Sequence, residues 1–309
     1  MGAKKVKFVL IFLVLAVFLV SGQQGCAQPS DGKISAEESV RTSASNTGFD
    51  FVFFEGDRKV LDLVQGEKIT VDKTTRRSSD FFVRIKAENY GKAQKSVNFR
   101  LRDDFDDSYE GVGKESRNVL LQEAIFSENN LVESKSAVVE FGTFNYFEYP
   151  IDRKGKITAT ATYKEQSIIQ GHVSVPKPES ETIQLVQPPM PLTIGVFKEL
   201  SFKQGSYGID LAISISRNSN FEVAPSITNF EEEGVIMDVK VGNFGVSCEY
   251  DDPSIKLVKL KGTNTKVINC HSVVPLEESK PPLLITLVYG VKLEKSFTFE
   301  LEVPEELLV

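Results

Sequence analysis

The sequence predicts an all-β body, arranged as two tandem antiparallel β-sandwiches behind an N-terminal apolar segment. Three observations carry this. After residue 48, hydrophobic side chains recur at every second position in short runs, the period of a half-buried strand. Turn residues break those runs about every 8–12 positions. The second half of the chain then repeats the pattern of the first. At 309 residues, with 41% hydrophobic and 26% charged side chains, the chain has room for about two folded domains.

The N-terminus reads as an export segment. Lys4, Lys5 and Lys7 precede thirteen uninterrupted apolar residues, 8–20. A helix needs about 20 residues to cross a bilayer core, whereas a signal-peptide core runs to roughly 7–15. Residues 1–27 are therefore expected to form a signal peptide or a lipoprotein-type anchor helix. Gly25-Cys26 resembles the end of a lipoprotein signal, which makes Cys26 the lipidation candidate, although Gln23 stands where that motif wants an aliphatic residue. Cleavage after Ala27, or retention of the whole segment as an anchor, are the alternatives. Each places the body outside the cytoplasm and gives the chain a membrane contact through this segment. Residues 28–48 are rich in Ser, Thr and Gly without apolar periodicity, which reads as a flexible tether.

Residues 49–176 read as the first sandwich. Phe81, Val83, Ile85 and Ala87 alternate with Arg84, Lys86 and Glu88; residues 97–102 and 157–163 alternate likewise. A helix is expected only around 117–126. Pro176, Pro178, Pro188, Pro189 and Pro191 then define a stiff connector over 177–191, with no strand in it. Residues 192–305 read as the second sandwich. Its strands are 209–216, 235–241, 255–260, 267–274, a nearly all-apolar 283–291, and 297–303 after a short turn.

The halves share a skeleton. Each has a strand ending in Asn-aromatic-Gly (Asn89-Tyr90-Gly91 and Asn243-Phe244-Gly245), where Asn and Gly tolerate positive φ. Each closes with a Tyr-bearing strand, a turn and a last strand ending in proline, from Tyr163 to Pro176 and from Tyr289 to Pro304. About seven strands per half in tandem point to immunoglobulin-like sandwiches. The strand ending in Asn-Tyr-Gly-Lys-Ala and followed by 97–101 resembles the CARDB-like adhesion modules of archaeal and bacterial surface proteins. The resemblance implies a fold and a surface location, and no catalytic residues.

Acidic residues outnumber basic ones 43 to 36 for a net charge of −7, and setting aside the leader lysines makes the remainder more acidic still. That balance argues against nucleic-acid binding. With two histidines, no tryptophan and three cysteines, little is left for a catalytic or zinc centre. Cys248 and Cys270 form an even pair in an exported chain and are expected to be a disulfide. A metal site using Cys248, Cys270 and His271 is the competing reading, but neighbours on a strand point to opposite faces. Gly111 to Ser116 is similar to a phosphate loop, yet Ser108 and Glu115 occupy positions the motif reserves for Gly and for Ser or Thr. Asp103, Asp104, Asp106, Asp107 and Glu110 crowd one loop. They are a calcium candidate, although no EF-hand frame fits, and a solvated hairpin tip is the alternative. Phe141, Phe144, Tyr146, Phe147 and Tyr149 place five aromatics in nine residues. Strand alternation cannot bury both Tyr146 and Phe147, so Phe144, Tyr146, Phe147 and Tyr149 are candidates for partner binding.

No cofactor and no small-molecule substrate is indicated. The leading expectation is a non-enzymatic envelope protein whose sandwiches act as spacer and interaction module, with a protein partner in the envelope. An accessory or substrate-binding subunit of a secretion or surface-filament assembly is the alternative. A hydrolase is disfavoured because His172 and His271 lie in different halves with no recognisable nucleophile.

Overall fold

Alternation along the chain becomes pleated sheet almost everywhere. A computed structural model describes residues 47–304, apart from 56–60, 106–110, 129, 148–152, 204, 261, 263–264 and 277–279. The expected leader (1–27) and most of the expected tether (28–48) lie outside the described residues. The strands are β1 (Phe49–Phe53), β2 (Leu61–Asp62), β3 (Lys68–Thr70), β4 (Phe81–Asn89), β5 (Lys95–Asp103), β6 (Lys114–Leu121), β7 (Ile125–Ser127), β8 (Asn130–Glu133), β9 (Lys135–Phe144) and β10 (Arg153–His172). They continue as β11 (Ser180–Thr182), β12 (Leu192–Lys203), β13 (Ser206–Arg217), β14 (Phe221–Ala224), β15 (Gly234–Val241), β16 (Val246–Cys248), β17 (Leu257–Lys259), β18 (Thr265–Pro275) and β19 (Pro282–Glu302).

The described residues form an all-β, sandwich-like body, and its backbone is the pair β10–β19. These strands run antiparallel without a register shift from Arg153↔Leu301 to His172↔Pro282. On the other side of β10, β5 and then β6 extend the sheet. On the other side of β19, β15, β14 and β3 follow one another along its length, and β17 flanks β15. A second sheet, with β4 flanked by β9 on one side and by β1 and β2 on the other, packs over the N-terminal half of β10. A third, in the order β11-β12-β13-β18-β16, serves the C-terminal half. Inward positions are buried throughout: Val97, Phe99 and Leu101 on β5; Ile209, Leu211, Ile213 and Ile215 on β13; Leu283, Ile285 and Leu287 on β19. The open edges of β6 and β9 approach each other, and Arg117 Nη2 donates to Phe141 O at 3.1 Å.

Four local expectations need correction. The helix around 117–126 is instead the edge strand β6 followed by β7. Its residues are largely exposed, so side-chain pattern said little, and pairing with β5 decides the conformation. The connector over 177–191 does contain a strand: β11 pairs with β12 between the two proline clusters. The turns expected after Tyr163 and after residue 291 are absent, because β10 and β19 are each one unbroken strand. Finally, the Asn-aromatic-Gly turns do not depend on positive φ at Asn or at the final Gly. Asn89 Nδ2 donates to Ala93 O (2.8 Å) and Gln122 O (2.7 Å), while its Oδ1 accepts from Gly91 N (2.9 Å). In the second half the positive φ falls on Gly242.

The central sheet also passes through the division expected between 49–176 and 192–305. β5, β6 and β10 come from one side of the proline cluster, and β15, β17 and β19 from the other.

Candidate functional site

Where the two layer pairs meet, the inner face of β10 changes character. Ile157, Ala159 and Ala161 give way to Tyr163, Glu165 and Ser167 before Ile169 resumes the apolar run, and all of these are buried. Continuing the β5–β10 register beyond Val97↔Tyr163 sets Lys95 opposite Glu165. The two side chains form an ion pair with 2% and 8% exposure, and Lys95 Nζ lies 5.1 Å from the centre of the Tyr163 ring. On the other flank Glu165 is opposite Tyr289, whose hydroxyl is 3.4 Å from Ser167 Oγ. Tyr163 Oη is buried with no hydrogen-bond partner among the described residues. Burial, with the Glu165 charge second, pushes both tyrosine hydroxyls well above their ordinary range. A buried charge pair beside two neutral phenols cannot exchange partners with water. It fixes the register of β5, β10 and β19 at the junction.

The acidic-loop candidates separate. Asp103 and Asp104 are described, and Asp106, Asp107 and Glu110 are outside the described residues. Asp103 Oδ2 accepts from Val112 N (3.1 Å) and Tyr146 Oη (3.0 Å), and Oδ1 accepts from Phe105 N (3.3 Å). Burial raises the Asp103 pKa, and these hydrogen bonds pull the other way. Asp104 Oδ1 accepts from Lys156 N at 2.8 Å. Both carboxylates are thus used to fasten the end of β5. Among the described residues, no group of three or more His, Cys, Asp or Glu side chains is placed to hold a metal ion.

The aromatic cluster separates too. Tyr146 is fully buried and cannot bind a partner. Its ring stacks on Phe81 (5.4 Å) and Phe299 (5.8 Å) and meets Phe105 edge-on at 4.8 Å. Alternation predicted one member of the 146–147 pair inside, and the inside member is Tyr146 because its hydroxyl reaches Asp103. Phe147 is half-buried under the Arg77 guanidinium at 5.0 Å, and Phe144 is half-buried against Phe81. Tyr149 and Cys26 lie outside the described residues.

Cys248 and Cys270 are register partners on β16 and β18, joined with an S–S distance of 2.08 Å. The bond staples two neighbouring strands of one sheet, whereas the bridge of antibody domains crosses between sheets. His271, on the opposite face from Cys270, pairs with Asp210 Oδ1 at 2.8 Å in solvent.

The junction pair was missed in the sequence, though a signal existed. Lys95 shares phase with Val97 and Phe99, and Glu165 shares phase with Ala161 and Tyr163, so each is a charge at an inward position. No protein-family model matches the chain, and no curated protein is significantly similar to it.

Proposed function

We propose that this is a non-enzymatic, exported envelope protein in which two immunoglobulin-like, CARDB-like sandwiches form a stiff spacer that presents its faces to another macromolecule. The observation that carries the reading is the β10–β19 ladder. Twenty residues of β10 pair with β19 without interruption, roughly 65 Å of continuous strand at about 3.3 Å per residue. Two domains on a loop linker would swivel, but two domains sharing both central strands bend only if the ladder breaks. The buried Lys95–Glu165 pair at the midpoint supports the same reading, since local opening there would expose an unsatisfied charge. The apolar leader and the polar segment after it support an attachment to the membrane on the outer side.

The test measures the distance between spin labels placed at Lys156 and Gln170, both exposed and fourteen residues apart on β10. The expected distribution is single and narrow, centred near about 46 Å before label length is added. A broad or two-peaked distribution would eliminate the stiff spacer. Fractionation of the source cells should recover the chain with the envelope after the cytosol is removed.

A further inference from the structure

One face of this acidic protein gathers cations on three neighbouring strands. β6, β5 and β10 are neighbours, and their registers (Asn98↔Asn118, Arg100↔Ser116, Thr160↔Arg100, Thr162↔Asn98) put even-numbered residues of all three on one side. That side is the solvent side, because Val97, Phe99, Leu101, Ile157, Ala159 and Ala161 in the alternate phase are buried. The outward positions are Lys114, Ser116, Asn118 and Leu120 on β6, then Ser96, Asn98, Arg100 and Arg102 on β5. β10 adds Lys154, Lys156, Thr158, Thr160, Thr162 and Lys164. These are six cations on a chain of net charge −7. The acids sharing the face lie along its border: Asp104, whose Oδ1 accepts from Lys156 N at 2.8 Å past the end of β5, and Glu294 and Glu300 on β19, with Glu294 Oε1 accepting from Thr160 Oγ1 at 3.0 Å. The side chains of Arg100, Lys156 and Lys164 have no acidic partner among the described residues. Arg102 and Lys154 pair loosely with Glu294 (3.8 Å) and Glu300 (3.7 Å) of β19, the next strand of the sheet.

We propose that this face binds an anionic polysaccharide, a glycan bearing carboxylate, sulfate or phosphate groups. Charge complementarity selects a polyanion, and the spread of the cations over three strands selects a polymer over a small anion. Arg102 faces Lys114 across one strand spacing of about 4.8 Å, and Arg100 and Arg102, like Lys154 and Lys156, follow one another about 7 Å apart along their strands. Between them stand hydroxyls and carboxamides (Thr158, Thr160, Thr162, Ser96, Ser116, Asn98 and Asn118) that donate and accept hydrogen bonds as sugar hydroxyls require. Asn98 Nδ2 already donates to Asn118 Oδ1 at 2.8 Å and Ser116 Oγ at 3.0 Å, so the amides are held in a fixed orientation. Arginine adds a planar fork suited to carboxylate, sulfate and phosphate oxygens. A fluid layer of lipid headgroups needs only the charge, and duplex DNA offers phosphates without the ring hydroxyls that the Thr, Ser and Asn side chains would pair with.

The inference rests on reading the chain as a surface display protein, but its test is separate from the spacer test. The full-length protein is passed over immobilised polygalacturonate, heparin and neutral dextran, and mixed with anionic phosphatidylglycerol vesicles and duplex DNA. Retention on both anionic glycans and not on dextran is expected, with the logarithm of affinity falling linearly against the logarithm of salt concentration. Arg100→Glu with Lys156→Glu should cut glycan affinity by roughly tenfold or more. Arg100→Gln with Lys156→Gln should cut it less, and Lys259→Glu, far off on β17, should leave it unchanged. Unchanged retention of the double charge reversal, in protein whose disulfide and circular dichroism are intact, would overturn the site. Vesicles or DNA bound as tightly as the glycans would overturn the ligand class. Neither result touches the label distance that tests the spacer.

Discussion

The two halves of the body solve the same packing problem with different side chains. Between the β4 sheet and the N-terminal part of the β10–β19 pair, the core is aromatic: Phe49, Phe51, Phe81, Phe99, Phe105, Phe141, Tyr146, Tyr163, Phe297 and Phe299 are all buried. Large rings on one strand are matched by small residues on another, with Gly155, Ala159 and Ala161 on β10 leaving room. The five-stranded sheet instead meets the C-terminal part through Ile194, Val196, Ile209, Leu211, Ile213, Ile215 and Ile268, facing Val235, Met237, Leu283, Ile285 and Leu287. Their reinforcements differ as well. The first half buries charge, in Lys95–Glu165 and in Arg84–Asp62 (2.9 Å, 3% and 4% exposed). The second half has a disulfide, and its buried Lys198 keeps a partner, Glu181, that is still a quarter exposed. Stacked rings and buried ion pairs have narrow geometric tolerance, while branched aliphatics interdigitate with little directionality. One half is therefore specified by geometry, and the other by volume and a covalent staple.

Removing one member of the junction pair should break this comparison most severely. Glu165→Ala leaves the Lys95 ammonium buried without a counter-charge and should cost about 3–5 kcal/mol in urea unfolding. Lys95→Met combined with Glu165→Leu should recover most of that loss. Because β10 and β19 serve both halves, probes in either half should report the same midpoint. A first half melting alone would show that the shared strands do not couple them.

Next comes the staple. Replacing Cys248 and Cys270 together by alanine opens a loop with a sequence separation of 22 residues and should lower stability by about 3 kcal/mol. Reducing agent should do the same to the unmodified protein. Hydrogen exchange should quicken most in β16 and β18, and an increase of equal size in β4 and β9 would contradict the separate reinforcement of the halves.

The contrast explains what was legible in the sequence. Strand phase was readable wherever one face was uniformly apolar, as at 81–87 and 209–215, and the disulfide followed from an even cysteine pair. β10 and β19 were divided wrongly because Glu165 and Ser167 interrupt the inward apolar series of β10, and Lys295 that of β19, and a strand that crosses from one core to another looks like two strands with a turn between. Tyr146 was misplaced because a phenol at a strand end looks equally suited to surface or core. Its role depends on Asp103, forty-three residues away, and on Phe299 from the other end of the chain. The basic face was invisible to net charge, since it emerges only when the registers of three strands are combined.

A smaller effect probes how tightly the aromatic half is packed. A Cβ on Gly155 would lie 2.4 Å from Phe299 Cζ and 2.7 Å from Phe105 Cζ. Gly155→Ala should therefore cost about 1–3 kcal/mol by displacing both rings, despite the better strand propensity of alanine. Pairing it with Phe105→Leu, which frees space, should return part of the loss in a double-mutant cycle.

The smallest expected effect concerns pH and the Asp103–Tyr146 contact. Burial holds the Asp103 pKa above its ordinary value of 3.8, so the folded protein binds this proton more tightly than the unfolded chain does. Stability from this group is then fully present below 3.8 and is lost as pH rises through the higher folded value. In Asp103→Asn that loss is removed, so the difference in urea midpoint between variant and unmodified protein should shift in the variant's favour as pH rises across this window and stay constant above it. Tyr146→Phe leaves the carboxylate buried but removes a hydrogen bond that favours its charged form. Its pH-dependent loss should be steeper than that of the unmodified protein, because the Asp103 pKa moves further upward. A parallel pair of curves for Asp103→Asn and the unmodified protein would mean that Asp103 titrates as a solvated surface group, and that the end of the aromatic core is open to water.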